Sequence, residues 1–172
     1  MDQWLGEILR ADSEGLLLFP AGFSPGLSDR LNARFENSIP DVANRVQFLP
    51  AMSHMNFMNV LSTCDVSLDT RPFGGGNTSW QAIAAKTPMV TWSGKFLRGR
   101  YTTALYKLMS IEEPVVASGK EYVCRAVQFA KDYDFRRDVL ERIDERSDLI
   151  FNDMTHVNAL SQFILEKAKN YD

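Results

Sequence analysis

The sequence predicts an α/β fold of three layers, in which a mostly parallel sheet is covered by helices on both faces. Short apolar runs alternate with helix-like segments along the chain, and the links between them are short. Strand–helix alternation of this kind is typical of parallel sheets, whose crossovers need a helix. A triple glycine between an apolar run and a helix start then predicts where such a sheet would bind a ligand.

The spacing of apolar residues assigns the individual elements. Strands are predicted where a short apolar run stands between turn residues, at residues 16–19, 45–49, 66–68, 88–92 and 115–116. Helices are predicted where apolar residues recur every three or four positions, at residues 3–10, 25–36, 54–63, 77–85, 97–109, 120–131, 135–145 and 155–169. Ser24 and Pro25 suit the cap and the first position of the second helix.

Composition excludes several classes of protein. The 172 residues fit one domain, and 45% apolar with 24% charged residues is typical of a globular chain. The net charge is −3 and no run of lysine or arginine occurs, which argues against a nucleic-acid partner. The apolar runs are too short to cross a bilayer and the first residues lack a signal-peptide pattern, so we expect a cytoplasmic protein without a membrane partner. Cys64 and Cys124 stand singly in apolar segments, which predicts two reduced, buried thiols.

The candidate site lies where the third predicted strand ends and a helix begins. Asp69 closes the strand, Gly74, Gly75 and Gly76 form a loop, and the helix opens at residues 77–79. Unpaired N–H groups and the helix dipole favour an anion at a helix N-terminus, and glycines let a ligand approach the backbone. We therefore predict phosphate binding here.

A simpler interpretation of the same residues is a good helix cap. Asn77 or Thr78 would accept a bond from a first-turn N–H, and Thr78 with Gln81 fits the capping-box spacing. A cap does not require three glycines, so anion binding is the favoured interpretation. The loop is not a Walker loop, because no Gly-Lys-Ser/Thr follows. It is not a dinucleotide fingerprint either, because the G-x-G-x-x-G spacing is absent.

Three blocks of the chain resemble the C-terminal catalytic domain of O-GlcNAc transferase-like glycosyltransferases, a family that includes SPINDLY-type and bacterial N-glucosyltransferase relatives. The blocks are residues 65–70, 73–79 and 87–94, and the similarity runs from Leu16 to the final helix. The resemblance implies a GT-B enzyme of two Rossmann-like domains with a cleft between them. Residues 1–172 would be the single nucleotide-sugar-binding domain in its C-terminal half, and residues 155–172 a helix that crosses to the N-terminal domain.

The resemblance also implies site residues for the diphosphate. In the family, the glycine loop and the helix after it hold the diphosphate of a UDP-sugar, which assigns this role to Gly74, Gly75, Gly76, Asn77 and Thr78. Family enzymes work without a metal or another cofactor. A cationic side chain and a helix N-terminus neutralise the leaving diphosphate instead.

Further candidates for the nucleotide follow from the same resemblance. Gln81 stands where family members commonly carry an acidic residue that binds the ribose hydroxyls. Residues 50–54 resemble the loop around uracil, with candidates Pro50, Ala51, Met52 and His54. Arg100 matches a basic residue of the family and is an accessory candidate. The alternatives are a polar helix start for His54 and a solvated or ion-paired one for Arg100.

The N-terminal region departs from the family pattern. In the family, a strand and loop ahead of the first predicted strand carry a lysine that reaches the diphosphate, and a separate domain binds the acceptor. Residues 3–10 are helix-like instead. We therefore expect a fragment that binds UDP or a UDP-sugar weakly and does not catalyse transfer alone. In the intact enzyme, N-acetylglucosamine or glucose would pass to a protein acceptor. The face left by the missing domain would favour self-association.

Two other functions fit parts of the pattern. A degenerate glycosyltransferase-like domain that serves as a non-catalytic protein-interaction module would explain Gln81 and the missing lysine loop. Another Rossmann-like phosphate binder, such as an epimerase-type enzyme, leaves the block at residues 87–94 and Arg100 unexplained.

Overall fold

The structure, a computed structural model, describes residues 1–20 and 26–169. The helices are α1 Asp2–Ala11, α2 Leu27–Ser38, α3 His54–Thr63, α4 Asn77–Ala84, α5 Tyr101–Leu108, α6 Gly119–Lys131, α7 Tyr133–Arg146, α8 Asp148–Phe151 and α9 Thr155–Ala168. The strands are β1 Leu17–Pro20, β2 Val46–Leu49, β3 Ser67–Leu68, β4 Met89–Trp92 and β5 Val115–Val116. Single 3₁₀ turns lie at Ala43–Arg45 and Leu97–Gly99.

All strand pairs among the described residues are parallel, and they form two separate sheets. β1 pairs with β2, with Leu17 opposite Val46. β4 pairs with both β3 and β5. The α/β class with parallel strands is confirmed, but the strands make two hydrogen-bonded sheets rather than one. Parallel strands need helical crossovers, which is why a helix follows each of β1 to β5.

The helices form two layers around the strands. α1 packs against α2 and α6, whereas α4 packs against α3 and α5. Serine or aspartate side chains cap several of these helices, since Ser53, Ser118 and Asp132 accept the N–H three residues on at α3, α6 and α7.

Two hydrophobic clusters make the core. The larger one lies around β4, where Val90, Tyr106, Tyr122 and Phe129 are fully buried. The smaller one lies around β1 and β2 and centres on Phe35. α1 joins the two clusters, because its Ile8 belongs to the larger one and its Leu5 and Leu9 belong to the smaller one.

Most predicted elements are confirmed, and the exceptions have local causes. The helix predicted over 97–109 begins at Tyr101, because Gly94 and Gly99 pack backbone to backbone and leave only a 3₁₀ turn before it. The prediction of two buried thiols is wrong for Cys124, which is exposed, while Cys64 is half-buried. The predicted cap at Ser24 and Pro25 lies outside the described residues. Within the described part, no helix is both long and apolar enough to cross a membrane.

Candidate functional site

Asp69 organises the loop that follows β3. Its side chain is 5% exposed, and one carboxylate oxygen accepts the backbone N–H of Gly75 at 2.6 Å. The other oxygen accepts the hydroxyl of Thr91, from β4, at 2.7 Å. Its backbone carbonyl accepts the phenol O–H of Tyr122 at 2.8 Å. Two core elements, β4 and α6, and the loop itself therefore fix the point at which the glycine loop leaves the sheet.

A side chain would meet different surroundings at each of the three glycines. A Cβ on Gly74 would stand 3.0 Å from the Asp69 carboxylate. A Cβ on Gly75 would stand 2.8 Å from Thr78 Oγ1 and overlap Ser79 Oγ as well. A Cβ on Gly76 would meet nothing within 4 Å. Close packing within the loop thus explains the first two glycines, and only the third borders open space.

A second loop, which follows β4, is hydrogen-bonded to the glycine loop. The N–H of Gly74 donates to the carbonyl of Arg98 at 2.8 Å, in the turn after β4. Thr70 bridges its own loop by donating its hydroxyl to the carbonyl of Phe73 at 2.6 Å. The Phe73 ring itself is 64% exposed. Both loops lie at the carboxyl ends of parallel strands, which is where α/β sheets bind ligands.

The N-terminus of α4 lacks the side-chain cap that the sequence predicts. The N-cap residue is Gly76, and no side chain caps the helix. Asn77 and Thr78 are already helical, so the predicted capping box of Thr78 with Gln81 is wrong. The cap fails because the helix begins at Asn77, two residues earlier than a capping box with Thr78 as the N-cap requires.

The hydrogen bonds of the loop and of the first turn of α4 determine which backbone N–H groups stay free for a ligand. The N–H groups of Gly74 and Gly75 donate within the protein, and that of Ser79 donates to the Gly76 carbonyl at 3.0 Å. Among the described residues, the N–H groups of Gly76, Asn77 and Thr78 have no protein acceptor, and all three residues are exposed. First-turn N–H groups at a helix dipole are suited to an anion.

Buried contacts hold α4 rigidly under this site. Ser79 is fully buried, and its hydroxyl lies 2.8 Å from that of Thr102 on α5. The same helix buries Ala82 and Ile83 in the core. The orientation of the α4 N-terminus is therefore set by packing rather than by a cap.

A cavity of about 930 Å³ reaches the loop from the interior side. Asp69, Thr70, Gly75 and Thr78 line its end at the glycine loop. Its described lining includes neither residues 50–54 nor Gln81 nor Arg100. Of the five residues predicted for the diphosphate, only Gly75 and Thr78 line this cavity, whereas Gly74, Gly76 and Asn77 do not.

The remaining candidates are mostly exposed. Pro50, Ala51 and His54 are exposed, Met52 and Gln81 are half-buried, and Ser53 beside them caps α3. Arg100 is exposed at the N-cap of α5. The roles of these residues toward ribose, uracil and diphosphate stay predictions.

Three arginines, Arg71, Arg98 and Arg100, lie on the glycine loop and on the turn after β4. The guanidinium of Arg71 stacks on the Trp92 ring at 3.8 Å, and that of Arg98 lies 4.7 Å from the Phe96 ring. In residues 1–20 and 26–169, no carboxylate pairs with Arg71, Arg98 or Arg100. The same residues contain no group of His, Cys, Asp and Glu that would hold a metal ion.

Sequence reasoning missed the network around Asp69. The sequence analysis identified Asp69 only as the residue that closes the third strand, although an acidic residue directly after a buried strand also signals a carboxylate near the ligand edge. The partners Thr91 and Tyr122 are 22 and 53 positions away, so only the fold brings them together.

Comparison with known proteins shows which proteins this chain is similar to. No family model matches the chain. A probable SPINDLY UDP-N-acetylglucosamine–peptide N-acetylglucosaminyltransferase of Solanum lycopersicum is 30% identical over 112 residues, or 63% of the chain. A UDP-N-acetylglucosamine–peptide N-acetylglucosaminyltransferase of Giardia intestinalis is 24% identical over 131 residues, or 76% of the chain. The chain is similar to SPINDLY and O-GlcNAc transferases.

A solved structure shows the same fold. A mutant O-GlcNAc transferase of Thermobaculum terrenum superposes with a TM-score of 0.82 over 96% of this chain, at 24% sequence identity. The similarity supports the Rossmann-like α/β/α class of a GT-B half. The chain covers 32% of that protein, 12% of the tomato relative and 9% of the Giardia relative.

Proposed function

We propose that this chain binds the diphosphate of a UDP-sugar and is the donor-binding part of a glycosyltransferase that modifies proteins. The observation that carries the proposal is the uncapped N-terminus of α4, where Gly76, Asn77 and Thr78 are exposed and their N–H groups have no acceptor among the described residues. Two diphosphate oxygens would accept these N–H groups, and the helix dipole would stabilise their charge. The relatives described above are named as UDP-N-acetylglucosamine–peptide N-acetylglucosaminyltransferases, which supports UDP-N-acetylglucosamine as the donor.

The electrostatics of the site agree with an anionic ligand. Arg71, Arg98 and Arg100 carry positive charge on the two loops and, within the described structure, have no carboxylate partner to neutralise it. The nearest buried carboxylate, Asp69, uses its oxygens on Gly75 and Thr91. A diphosphate would therefore meet free donors and cations on the open side of the loop.

We propose further that residues 1–172 do not transfer a sugar by themselves. The described glycine loop supplies donors that would stabilise a leaving diphosphate, but its only buried acid is Asp69, whose carboxylate already accepts two hydrogen bonds. Such a group is poorly placed to take a proton from an acceptor. Uridine diphosphate released from UDP-N-acetylglucosamine with casein as acceptor would be the readout, and turnover above the buffer rate would contradict this part.

A titration followed by ¹⁵N amide shifts tests donor binding. UDP is expected to shift the amides of Gly76, Asn77 and Thr78 in a saturable way, while the capped first turns of α3 and α6 serve as internal references. AMP, which lacks the diphosphate, is expected to shift them much less. Absence of a saturable shift at millimolar UDP would refute the proposal.

A matched pair of variants localises the binding. Asn77→Ala with Thr78→Val removes a side-chain amide and a hydroxyl from the first turn of α4. Thr155→Val with Asn158→Ala removes the same two groups from the exposed helix α9. The first pair is expected to weaken UDP binding by about tenfold, or 1.4 kcal/mol. The second pair is expected to leave it unchanged. Equal effects of both pairs would argue against the glycine loop as the site.

A second function, a non-catalytic protein-interaction module, is favoured by one observation on α9. Its apolar side chains Val157, Leu160 and Ile164 are 54–60% exposed and repeat at helical spacing. A helix with an exposed apolar face is typical of an interaction surface. Failure of the UDP titration, together with α9-dependent association, would favour this alternative.

A further inference from the structure

Positive charge is concentrated in the part of the chain that carries the glycine loop. Residues 70–111 contain six of the 19 lysines and arginines and none of the 22 aspartates and glutamates. The rest of the chain is acidic, because its 13 basic residues stand against all 22 acidic ones. A chain with a net charge of −3 therefore has one strongly basic segment, and a local excess of one sign attracts ligands of the opposite sign.

Four of these six cations lie together at the carboxyl ends of β3 and β4. Arg71 belongs to the glycine loop, whereas Lys95, Arg98 and Arg100 belong to the loop between β4 and α5 and are exposed. The two loops are joined by the hydrogen bond from the N–H of Gly74 to the carbonyl of Arg98. The other two cations lie elsewhere, just after α4 and in the last turn of α5. The four loop cations therefore form one local cluster.

Stacking holds two of the guanidinium groups in place. Arg71 lies 3.8 Å from the centroid of the Trp92 ring, and Arg98 lies 4.7 Å from that of the Phe96 ring. A guanidinium stacks through its flat face, so the N–H groups at its edge can bind a carboxylate through two parallel hydrogen bonds. Because no carboxylate of residues 1–20 or 26–169 pairs with either arginine, these edges are available to a carboxylate of a ligand.

Large apolar side chains are exposed beside these cations. Phe73, Phe96, Leu97 and Tyr101 are 64%, 58%, 69% and 44% exposed. Arginine and aromatic residues are enriched where proteins bind other proteins. We call this surface the basic–aromatic rim; it consists of Arg71, Phe73, residues 95–98, Arg100 and Tyr101. Its chemistry is complementary to a polypeptide segment with both acidic and apolar side chains.

The rim carries more positive charge than the proposed diphosphate needs. The diphosphate of a nucleotide sugar carries about two negative charges, and the dipole and first-turn N–H groups of α4 offset part of them. The four cations of the rim exceed the remaining charge. The excess is available to a second anionic ligand.

The position of the rim suits the second substrate of a transfer reaction. The reacting carbon of the sugar is bonded to the diphosphate, and the acceptor atom must approach that carbon to about 3–3.5 Å. An acceptor segment would therefore pass close to residues 76–78. The rim borders this place, because Phe73 precedes Gly76 by three residues and the loop of Arg98 is bonded to Gly74.

We propose that the basic–aromatic rim docks a segment of the protein acceptor that is rich in aspartate and glutamate and carries apolar side chains. This inference rests on the proposed donor site and adds to it the class of acceptor sequence. Carboxylates of the segment pair with the arginines of the rim, and its apolar side chains bury Phe96 and Leu97.

The first test is a titration of the ¹⁵N-labelled chain with peptides in the absence of UDP. The probe acetyl-Asp-Glu-Phe-Ser-Asp-Glu-Phe-amide is expected to shift the amide signals of residues 95–101 in a saturable way. The peptide acetyl-Asn-Gln-Phe-Ser-Asn-Gln-Phe-amide has nearly the same shape without the charges and is expected to bind about tenfold more weakly. Equal binding of the two peptides, or no saturable shift with either, would overturn the proposal.

Two double variants with the same loss of charge locate the docking surface. Arg98→Gln with Arg100→Gln is expected to weaken binding of the acidic peptide by about fivefold to tenfold. Arg30→Gln with Lys120→Gln removes two exposed charges outside the rim and is expected to change the affinity by less than about twofold. Equal losses in both variants would mean that only the overall charge matters and would overturn the location.

Titrations with UDP separate this inference from the proposed function. Asn77→Ala with Thr78→Val, which is expected to weaken UDP binding, is expected to bind the acidic peptide as the wild type does. Complete displacement of the peptide by UDP would mean that the cations belong to the donor site, and it would overturn the inference. A UDP response without peptide binding would overturn the inference alone. Peptide binding without a UDP response would support the docking surface and contradict the donor site.

Vesicles test the other partner that exposed basic and apolar side chains can bind, an anionic membrane. A membrane is disfavoured here, because the Phe96 ring that would insert is stacked against Arg98. Vesicles of phosphatidylserine and phosphatidylcholine are therefore expected not to sediment the chain. Sedimentation that is lost in Arg98→Gln with Arg100→Gln, without binding of the acidic peptide, would overturn the proposal in favour of a membrane surface.

Discussion

The carboxylate of Asp69 accepts the backbone N–H of Gly75 at 2.6 Å, so the strand end and the glycine loop form one rigid unit. The same carboxylate binds the Thr91 hydroxyl on the neighbouring strand. Because the N–H of Gly75 is used in this hydrogen bond, the N–H groups available for a ligand are those of Gly76, Asn77 and Thr78. A buried acid thus shapes a site that is proposed to bind an anion.

Removal of the Asp69 carboxylate tests this relationship. Asp69→Ala leaves the Gly75 N–H and the Thr91 hydroxyl without their acceptor in the interior, so the free energy of unfolding is expected to fall by about 2–3 kcal/mol. Asp69→Asn keeps an acceptor oxygen and is expected to lose less. Urea unfolding measures both, and an alanine variant as stable as the wild type would contradict the role.

The glycine loop offers a direct comparison between two neighbours. In Gly75→Ala the new methyl group collides with the Thr78 and Ser79 side chains, so the loop must shift. UDP binding is expected to weaken by about tenfold, or 1.4 kcal/mol. A methyl group in Gly76→Ala meets no protein atom within 4 Å, so stability is expected to stay unchanged, while the group borders the space proposed for the diphosphate and is expected to weaken UDP binding by contact alone. Urea unfolding and calorimetric titration of both variants are the measurements, and a Gly75→Ala variant that binds UDP as tightly as the wild type would contradict the role of this loop geometry.

Stability at alkaline pH depends on two buried tyrosines. Burial raises the pKa of Tyr106 and Tyr122, and the charge of Asp69 raises both further. The neutral phenol is therefore favoured in the folded state. Below the unfolded pKa of about 10, the full contribution of the two neutral phenols to folding stability is present. As the pH rises above that value, the unfolded chain loses protons first, so stability is expected to fall.

Tyr122→Phe separates this effect from general alkaline denaturation. The variant loses the hydrogen bond to the Asp69 carbonyl, which is expected to cost about 1 kcal/mol at neutral pH. Its stability is expected to fall less steeply above pH about 10. Tyr133→Phe, at a tyrosine that is 64% exposed, is the control. Thermal unfolding between neutral pH and pH about 11 gives the slopes, and identical slopes for Tyr122→Phe and wild type would rule out this tyrosine as a cause.

Helix α9 is expected to contribute little to the stability of the domain. Every described residue from 155 to 169 is exposed, including the apolar Phe163 and Leu165. A chain that ends at Asp153 is therefore expected to unfold at the same urea concentration as the full chain. It is also expected to self-associate less, since the apolar face is gone. Sedimentation velocity and urea unfolding measure the two effects, and a clearly lower urea midpoint would show that α9 packs on the domain.

Local chemistry was enough to predict most elements of this fold. The apolar run at 88–92 predicts β4, and the serine before α3 marks a helix start that the structure places at His54. The start of α4 at Asn77 is also confirmed, although the reason differs, since Gly76 is the N-cap and no side chain caps the helix. Such features depend on residues within a few positions of one another, which a sequence displays directly.

Contacts between residues that are far apart along the chain could not be predicted from the sequence. The bonds of Asp69 to Thr91 and Tyr122 exist because β4 and α6 pack around the end of β3. The hydrogen bond from the Gly75 N–H to Asp69 likewise depends on the path of the loop. It leaves the N–H groups of Gly76, Asn77 and Thr78 as the predicted phosphate donors.

The sequence by itself determined the α/β class, the order of the elements and the position of the glycine loop, because hydrophobic spacing and helix-start chemistry are local. Only the tertiary structure decided that the strands form two sheets with a gap between β1 and β3, since strand neighbours are chosen by packing across the whole chain. It also decided which loop amides face open space, because that depends on where a buried carboxylate places its two oxygens.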